Sequence, residues 1–216
     1  HAHLANMMFC LVRTSIEERK QAGISFLLLP MDVPGIEVRP IITLGGVHAV
    51  NQVTIDAVRV PVTNLVGREG QAWEITRFLL GHERLIGAGL GPSGKLLVQA
   101  RRLAREVRRD GRPLIEDARF RERLASIEID LLALRATAYR VLAAEAAGNA
   151  PGAEVSVLKA RGVEVQQALT ELLMEIAGPA ALVDPLSLPT EAEPVLSDEL
   201  AFLATQYFDR RKISIY

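Results

Sequence analysis

Residues 79–97 read LLGHERLIGAGLGPSGKLL and lie near the start of the helical part of the chain. The apolar residues that lead into this stretch indicate a mostly buried helix, yet the stretch contains five glycines. Each glycine in a helix interior costs about 1 kcal/mol relative to alanine. That cost is usually accepted where another helix or a flat ligand approaches the backbone closely. We therefore expect a close neighbour on this helix, and we expect Pro92 to kink or end it.

The pair Glu83–Arg84 lies one turn before most of these glycines. A carboxylate beside an apolar, glycine-lined helix face is a candidate proton acceptor, because an apolar pocket raises the pKa of a carboxyl group. The alternative is an exposed ion pair on a helix surface, which would have no catalytic role. The spacing of the residues leaves both interpretations open.

The composition predicts a folded protein with a sizeable core, since hydrophobic residues make up 49% and charged residues 24% of the 216 residues. The length allows one large domain or two small ones. The net charge is −1, and both signs are interleaved along the chain. We therefore predict neither a nucleic-acid-binding stripe nor a basic membrane patch. No uninterrupted apolar run reaches the ~20 residues that span a bilayer.

The cysteine and histidine content limits the chemistry further. Cys10 is the single cysteine, which rules out an internal disulfide framework and fits a cytoplasmic protein. His1, His3 and His48 have no partners at metal-ligand spacing, so we predict no metal site. The chain begins at His1 without Met and ends at Tyr216 without a terminator. We expect it to be an internal fragment of a longer protein.

The first part of the chain, residues 1–69, has the pattern of β-strands. Short apolar or alternating runs end at turn residues or prolines, at positions 8–12, 24–29, 36–39, 53–56 and 58–60. Several short strands separated by turn signals predict a small antiparallel β-barrel or sandwich.

The second part, residues 70–216, changes to helical spacing. Apolar residues repeat every three or four positions over 96–107, 124–141 and 158–176, and a last helix is predicted over 200–216 after a surface loop at 184–194. Such stripes are buried when antiparallel helices cover one another, so we predict a four-helix up-down bundle. The predicted fold class is mixed α+β, with a β domain at 1–69 and a helical domain at 70–216.

A β module followed by a helical bundle is the order found in acyl-CoA dehydrogenases, and the residues themselves resemble that family. The likeness runs from end to end of the chain and includes Ala2–Asn6, Leu11–Thr14, Gly23–Leu28, Pro34–Ile36, Val38–Pro40, Val58–Pro61, Asn64–Gly67 and Asp209–Tyr216. The stretches FLLGHER (78–84) and DGRPLIED (110–117) resemble the bacterial branch that acts on pimeloyl-type, aromatic or steroid side-chain CoA esters.

The resemblance implies an FAD-dependent enzyme of lipid catabolism that desaturates an acyl-CoA thioester between its α and β carbons. A carboxylate removes the α-proton, flavin N5 takes the β-hydride, and the electrons pass to an electron-transfer flavoprotein. By resemblance the base is either Glu83 or a residue directly after Tyr216. The resemblance makes Arg84 the neighbour of that base, and we assign it to the electrostatics of the site; the alternative is a surface ion pair. His82 is a weaker candidate for a substrate contact, and the alternative is a half-exposed helix residue without a role in the site.

The family also implies an assembly and some missing parts. Its members are built as a dimer of dimers, either a homotetramer or a heterotetramer. They contain an N-terminal helical domain, a middle β domain and a C-terminal bundle. This chain would hold most of the last two. The resemblance places a flavin-stacking Trp-x-Thr motif just before His1 and a catalytic turn after Tyr216.

Two departures from the family pattern concern the FAD site. The arginine that binds the flavin pyrophosphate in an Arg-x-x-Phe-Gly motif is shifted here, and we assign its role to Arg108. A Gln and a double Gly that contact the adenosine correspond to Glu175 and Gly178. A carboxylate near an anionic cofactor is unfavourable unless it is paired. Either FAD binds through a modified site that includes Arg108 and Gly178, or the chain is a non-catalytic partner subunit of a heterotetramer. An oxidase variant that uses O₂ is a third possibility.

Overall fold

The protein divides into two compact units, the N-terminal unit (His1–His82) and the C-terminal unit (Glu83–Tyr216). The computed structural model describes residues 1–149, 152–182, 200 and 202–215, except for the side chains of residues 81, 82, 84–86 and 180. The fold is mixed, because it contains both strands and helices. The longer strands lie in the first unit and most of the helical residues in the second. The division falls inside the first long helix. The boundary predicted between residues 69 and 70 stays a prediction.

The N-terminal unit contains five strands in two sheets. They are β1 (Met7–Arg13), β2 (Ile24–Pro30), β3 (Ile36–Ile42), β4 (His48–Ile55) and β5 (Leu65–Val66). Strand β2 lies between β1 and β5 and is antiparallel to both, and β3 pairs antiparallel with β4. Both sheets are open within the described residues, and these strands do not close into a barrel. The predicted run at 58–60 forms no strand, because it lies between a turn at Ala57 (φ 49°) and Pro61.

Five longer α-helices lie within the described residues. They are α1 (Ala72–Ile86), α2 (Leu90–Glu106), α3 (Ala118–Ala146), α4 (Glu154–Ala177) and α5 (Leu203–Arg211). Two-residue strands β6 (Arg108–Arg109) and β7 (Arg112–Pro113) form a hairpin between α2 and α3. Helix α4 is the centre of the C-terminal unit, because α2, α3 and α5 all pack against it.

The apolar repeats predicted for two helices form their buried faces. In α3 the predicted residues from Leu124 to Val141 are all buried, and in α4 the same is true from Leu158 to Ile176. The start of α3 is fixed by Asp117, whose carboxylate accepts a hydrogen bond from the N–H of Phe120 at 2.8 Å. An N-cap of this kind satisfies a backbone donor that the first helical turn leaves unpaired.

The last predicted helix is shorter than the sequence indicates. Helix α5 ends at Arg211 and continues as a 3-10 turn, Lys212–Ser214. The predicted loop at 184–194 lies outside the described residues. Among the helices of the described residues, none combines the length and the apolar character that crossing a membrane requires.

Candidate active site

Glu83 lies in the last turn of α1, where its main-chain carbonyl accepts a hydrogen bond from the N–H of Gly87 at 2.9 Å. Its side chain is exposed. The side chains of Arg84 and His82 lie outside the described residues. The described part of this chain therefore does not withdraw the Glu83 carboxylate from water. The assignment of these residues to catalysis and substrate binding stays a prediction.

The glycine-rich stretch forms a sharp link between α1 and α2. Helix α1 ends at Ile86, and α2 begins at Leu90 after Gly89, which has a φ of 62°. The expectation that Pro92 ends the first helix is wrong. Pro92 lies in the first turn of α2, where a missing N–H costs little because that donor would have no helical acceptor.

Helix α4 approaches this link closely, as the glycine content predicts. A Cβ atom on Gly89 would overlap the side-chain amide of Gln166, and a Cβ atom on Gly162 would overlap the carbonyl oxygen of Ala88. The close neighbour at these positions is therefore another helix. Gly91 and Gly94 differ, because open space surrounds the place where their side chains would be.

Two buried polar residues lie beside the link. Ser93 is 0% exposed, and its hydroxyl has no hydrogen-bond partner within the described part of the chain. Gln166 is 4% exposed and donates a long hydrogen bond, 3.4 Å, to the carbonyl of Gly162. Buried polar groups are usually hydrogen-bonded. The corner where α4 meets the α1–α2 link is therefore polar as well as tightly packed.

The second region of interest, which the sequence predicts to contact FAD, comprises the β6–β7 hairpin and the end of α4. The hairpin turns at Asp110 (φ 52°) and Gly111 (φ 80°), and Arg108 donates to the carbonyl of Gly111 at 3.0 Å. Arg109 reaches further and donates to the carbonyl of Glu175 at 3.3 Å. The hairpin therefore contacts the last turns of α4 through Arg109, a residue that sequence reasoning did not select.

The carboxylate of Glu175 is paired. Arg123 of α3 forms a salt bridge with it, so the unfavourable charge noted from the sequence is compensated. Gly178 caps α4 with a φ of 61°, and open space lies where a side chain would be. No sequence signal predicts the Arg123–Glu175 pair, because 52 positions separate the two residues.

Helix α5 is held to α4 by Arg211. Its guanidinium contacts the carboxylate of Glu171 at 2.9 Å and the carbonyl of Gln167 at 3.0 Å. It also lies over the ring of Tyr207, 4.4 Å from the ring centre. These contacts position the segment that leads to Tyr216.

In the N-terminal unit, residues that lie far apart in the sequence are in contact. The rings of His3 and His48 stack with their centres 3.8 Å apart. Asn51 bridges them, with its oxygen 2.6 Å from Nε2 of His48 and its nitrogen 3.2 Å from Nδ1 of His3. The three residues line a cavity of about 610 Å³. Within the described residues no group of three or more His, Cys, Asp or Glu side chains could hold a metal ion.

A displaced pKa in the N-terminal unit has a local cause. Arg39 donates hydrogen bonds of 2.7 and 3.1 Å to Glu37, and these bonds, followed by the charge of the guanidinium, lower the pKa of the Glu37 carboxyl. The two side chains are exposed and lie two positions apart on β3, where alternate residues share a face. This pair is a feature of the strand surface.

Comparison with known proteins identifies the family. The family model described as "Acyl-CoA dehydrogenase, C-terminal domain" matches residues 70–206. The chain belongs to the acyl-CoA dehydrogenase family. The match covers the glycine-rich link, Glu83, the β6–β7 hairpin and the end of α4.

Individual relatives are similar over most of this chain. Acyl-CoA dehydrogenase IpdE1 of Mycobacterium tuberculosis is 32% identical over 85% of this chain, which corresponds to 46% of that protein. Acyl-CoA dehydrogenase FadE34 of the same organism is 34% identical over 85% of this chain and 25% of its own length. The solved structure of the "Tcur3481-Tcur3483 steroid ACAD" is 28% identical, with a TM-score of 0.77 over 97% of this chain and 52% of the other. The chain thus spans about half the length of two of these relatives and a quarter of the third.

Proposed function

We propose that this chain forms the middle and C-terminal parts of an FAD-dependent acyl-CoA dehydrogenase that introduces an α,β double bond into an acyl-CoA thioester. The observation that carries the proposal is the placement of Glu83 at the end of α1, inside the segment that matches the family. The similarity to a steroid ACAD favours a steroid-derived acyl group.

In this proposal Glu83 removes the α-proton. A carboxylate that abstracts such a weakly acidic proton needs a raised pKa, which desolvation supplies. Because Glu83 is exposed in the described chain, the bound thioester and cofactor and further protein atoms would have to exclude water from it. Arg84 would contribute positive charge near the site, and His82 a weaker contact to the substrate.

FAD would supply the hydride acceptor when it is bound. The end of α4 fits the adenosine part of this cofactor. Arg109 places its guanidinium group beside the last turns of α4, and Arg108 places one on the same hairpin, where it donates to the carbonyl of Gly111. Glu175 no longer opposes an anionic ligand, because Arg123 neutralises it. Gly178 leaves open space at the helix end. We propose that Arg108 and Gly178 contact the cofactor and that the Arg123–Glu175 pair replaces an amide at this position.

The finer architecture and the partners belong to the same proposal. The two sheets would form a sandwich-like module, and the helices would form an up-down bundle. The longer protein would work in the cytoplasm as a homotetramer or heterotetramer and would pass electrons to an electron-transfer flavoprotein.

A non-catalytic role as a partner subunit is the second candidate. The exposure of Glu83 favours it, and so does the similarity to the Tcur3481-Tcur3483 steroid ACAD, whose name joins two components. In that case the chain would support the flavin site of another subunit.

The deciding experiment uses the longer protein that carries this chain. It should purify with bound flavin, and a steroid side-chain acyl-CoA should bleach the flavin absorbance under anaerobic conditions. The variant Glu83→Gln should slow this bleaching by about 10²–10⁴-fold, the range for loss of a general base. Glu74→Gln, an exposed glutamate on the same helix, is the matched control and should react at the wild-type rate.

Other outcomes distinguish the alternatives. An unchanged rate for Glu83→Gln would refute the assignment of the base. A colourless protein that becomes yellow only when a second subunit is co-expressed would support the partner-subunit role. Oxygen consumption coupled to turnover would indicate an oxidase.

The compensated carboxylate can be tested separately by flavin content. Arg123→Gln should lower the ratio of flavin to protein, because Glu175 would then carry an unpaired negative charge toward an anionic cofactor. The double variant Arg123→Gln/Glu175→Gln should restore that ratio. If the double variant binds as little flavin as the single one, Glu175 does not face the cofactor.

A further inference from the structure

The link between α1 and α2, residues 87–89, is joined to both helices by backbone hydrogen bonds. The N–H of Gly87 donates to the carbonyl of Glu83 at 2.9 Å, and the N–H of Ser93 donates to the carbonyl of Gly89 at 2.9 Å. Glu83 therefore belongs to the helical turn that runs directly into the link. Its side chain is exposed, so packing around that side chain does not fix it. The position of the Glu83 carboxylate depends on the backbone of this turn.

Helix α4 holds the link through two positions that lie one helical turn apart. A Cβ atom on Gly162 would overlap the carbonyl oxygen of Ala88, and a Cβ atom on Gly89 would overlap the side-chain amide of Gln166. Because residues 162 and 166 are four positions apart, they lie on the same face of α4. Ala88 is 0% exposed. The link is therefore packed against the bare backbone of Gly162 and against the carboxamide of Gln166.

Gln166 is an unusual residue for the buried face of α4. Apart from Gln166 and Thr170, the residues listed as buried in this helix are apolar or glycine. Gln166 is 4% exposed, and its hydrogen bond to the carbonyl of Gly162 is 3.4 Å long, beyond the usual range of about 2.7–3.2 Å. A buried amide that is weakly bonded costs free energy, whereas an apolar side chain would pack there without that cost. The stability of α4 alone therefore does not explain a glutamine at this position.

The surroundings of Gln166 supply a reason for the polar side chain. It faces the link, where Gly89 has a φ of 62° and the chain leaves the helical conformation. Buried N–H and C=O groups outside a regular helix need polar neighbours, and a carboxamide offers both donors and acceptors. A glutamine here can hold the irregular backbone in one position, which an apolar side chain would do less well.

We propose that Gln166 is a positioning residue, whose carboxamide holds the link against α4 and thereby fixes the turn of α1 that carries Glu83. The inference rests on the proposed function, in which Glu83 removes the α-proton. Gln166 acts through the backbone of Gly89 and not on the reacting atoms. Geometry of this kind matters because a misplacement of about 1 Å can slow a reaction about 10²-fold.

The first test compares rates in the longer protein with bound flavin. Gln166→Ala should lower the maximal rate of anaerobic flavin bleaching by a steroid side-chain acyl-CoA about 10- to 100-fold. The acyl-CoA concentration that gives half of this rate should change by less than about twofold, because the binding surface is retained. Leu173→Ala is the matched control. Leu173 is 1% exposed and lies two turns further along the same face of α4, roughly 10 Å away. This control should keep the wild-type rate within about twofold.

The second test separates positioning from a general loss of structure. In the Glu83→Gln background, Gln166→Ala should have almost no further effect, because no base is left to position. A residue that only supports the fold would slow the reaction by the same factor in both backgrounds. That equal factor would overturn the proposal.

A third measurement needs no activity. Hydrogen exchange followed by mass spectrometry reports local opening of the backbone. Peptides that cover residues 83–93 should exchange faster in Gln166→Ala than in the wild type, and peptides from α3 should not change. Leu173→Ala should leave the exchange of residues 83–93 as it is. Unchanged exchange over 83–93 in Gln166→Ala would show that the side chain does not hold the link.

A second variant approaches the same contact from the other side. Gly89→Ala places a methyl group against the amide of Gln166 and should also slow the bleaching. The double variant Gly89→Ala/Gln166→Ala removes the side chain that this methyl group meets, so it should react faster than Gly89→Ala alone. If the two losses multiply instead, the residues do not act through one contact and the proposal fails.

Failure of this inference can be told apart from failure of the proposed function. If Glu83→Gln bleaches the flavin at the wild-type rate, the assignment of the base is wrong and the inference falls with it. If Glu83→Gln is slow while Gln166→Ala reacts at the wild-type rate, the base assignment stands and only the role of Gln166 is refuted.

Discussion

The two units of this chain bury their apolar residues to very different degrees. In the C-terminal unit one continuous cluster of buried side chains runs through α2, α3, α4 and α5. In the described residues of the N-terminal unit, the buried apolar side chains are Phe26, Leu29 and Ala72, while Met7, Phe9 and Leu11 of β1 are exposed on one face. The C-terminal unit therefore has its own core, and the N-terminal unit depends more on backbone pairing between strands.

The largest expected effect comes from the same substitution made in each unit. Leu169→Ala removes a side chain that is 0% exposed in α4 and should lower the free energy of unfolding by about 2–5 kcal/mol. Leu11→Ala, at 44% exposure on β1, should cost about 1 kcal/mol or less. Urea denaturation followed by far-UV circular dichroism measures both. Equal losses would show that the N-terminal unit has as dense a core as the C-terminal one.

A smaller effect tests close packing within the C-terminal unit. Gly162→Ala places a methyl group against the carbonyl oxygen of Ala88 and should cost about 1–3 kcal/mol through overpacking. Gly94→Ala enters open space and should stabilise α2 by about 1 kcal/mol through helix propensity. If both variants were stabilised, the approach of α4 to the α1–α2 link would be looser than described.

The smallest effect concerns the surface of the N-terminal unit. Because Arg39 lowers the pKa of Glu37 in the folded state, this carboxylate contributes stability above its ordinary pKa and loses it as the pH falls through the lowered value. Arg39→Gln should return the pKa of Glu37 toward its usual range in an NMR titration of the side-chain carbon. The difference in the free energy of unfolding between Arg39→Gln and the wild type should vanish at acidic pH, where Glu37 is protonated. If the pKa of Glu37 is the same in Arg39→Gln and in the wild type, the pair does not form in solution.

The helical faces were the part of the fold that local pattern predicted best. The repeats of α3 and α4 correspond to buried faces without exception over the predicted positions. A three- and four-residue period is a property of neighbouring residues, so it is visible without knowledge of the partner helix. The strands at 24–29 and 36–39 were also predicted from local pattern, an apolar run in the first and an alternation of apolar and polar residues in the second. The run at 58–60 was not a strand, because alternation does not reveal whether a pairing partner exists.

The candidate site was less predictable. Sequence reasoning selected Glu83 but left open whether its side chain is buried or exposed, because exposure depends on what surrounds the helix end. It also identified the carboxylate of Glu175 as unfavourable beside an anionic cofactor. It could not identify Arg123, which lies on a different helix and pairs with that carboxylate. The stacked His3 and His48, bridged by Asn51, were missed for the same reason.

By itself the sequence determined the mixed fold class, the family and the positions of the helical stripes, because these depend on residue types at short spacing. The tertiary structure alone decided where α1 ends and which charges are paired, and it left Glu83 in water. It also left Ile129, Leu132 and Tyr139 of α3 exposed. Such facts depend on contacts between residues far apart in the chain, and these exist only once the helices and strands have packed.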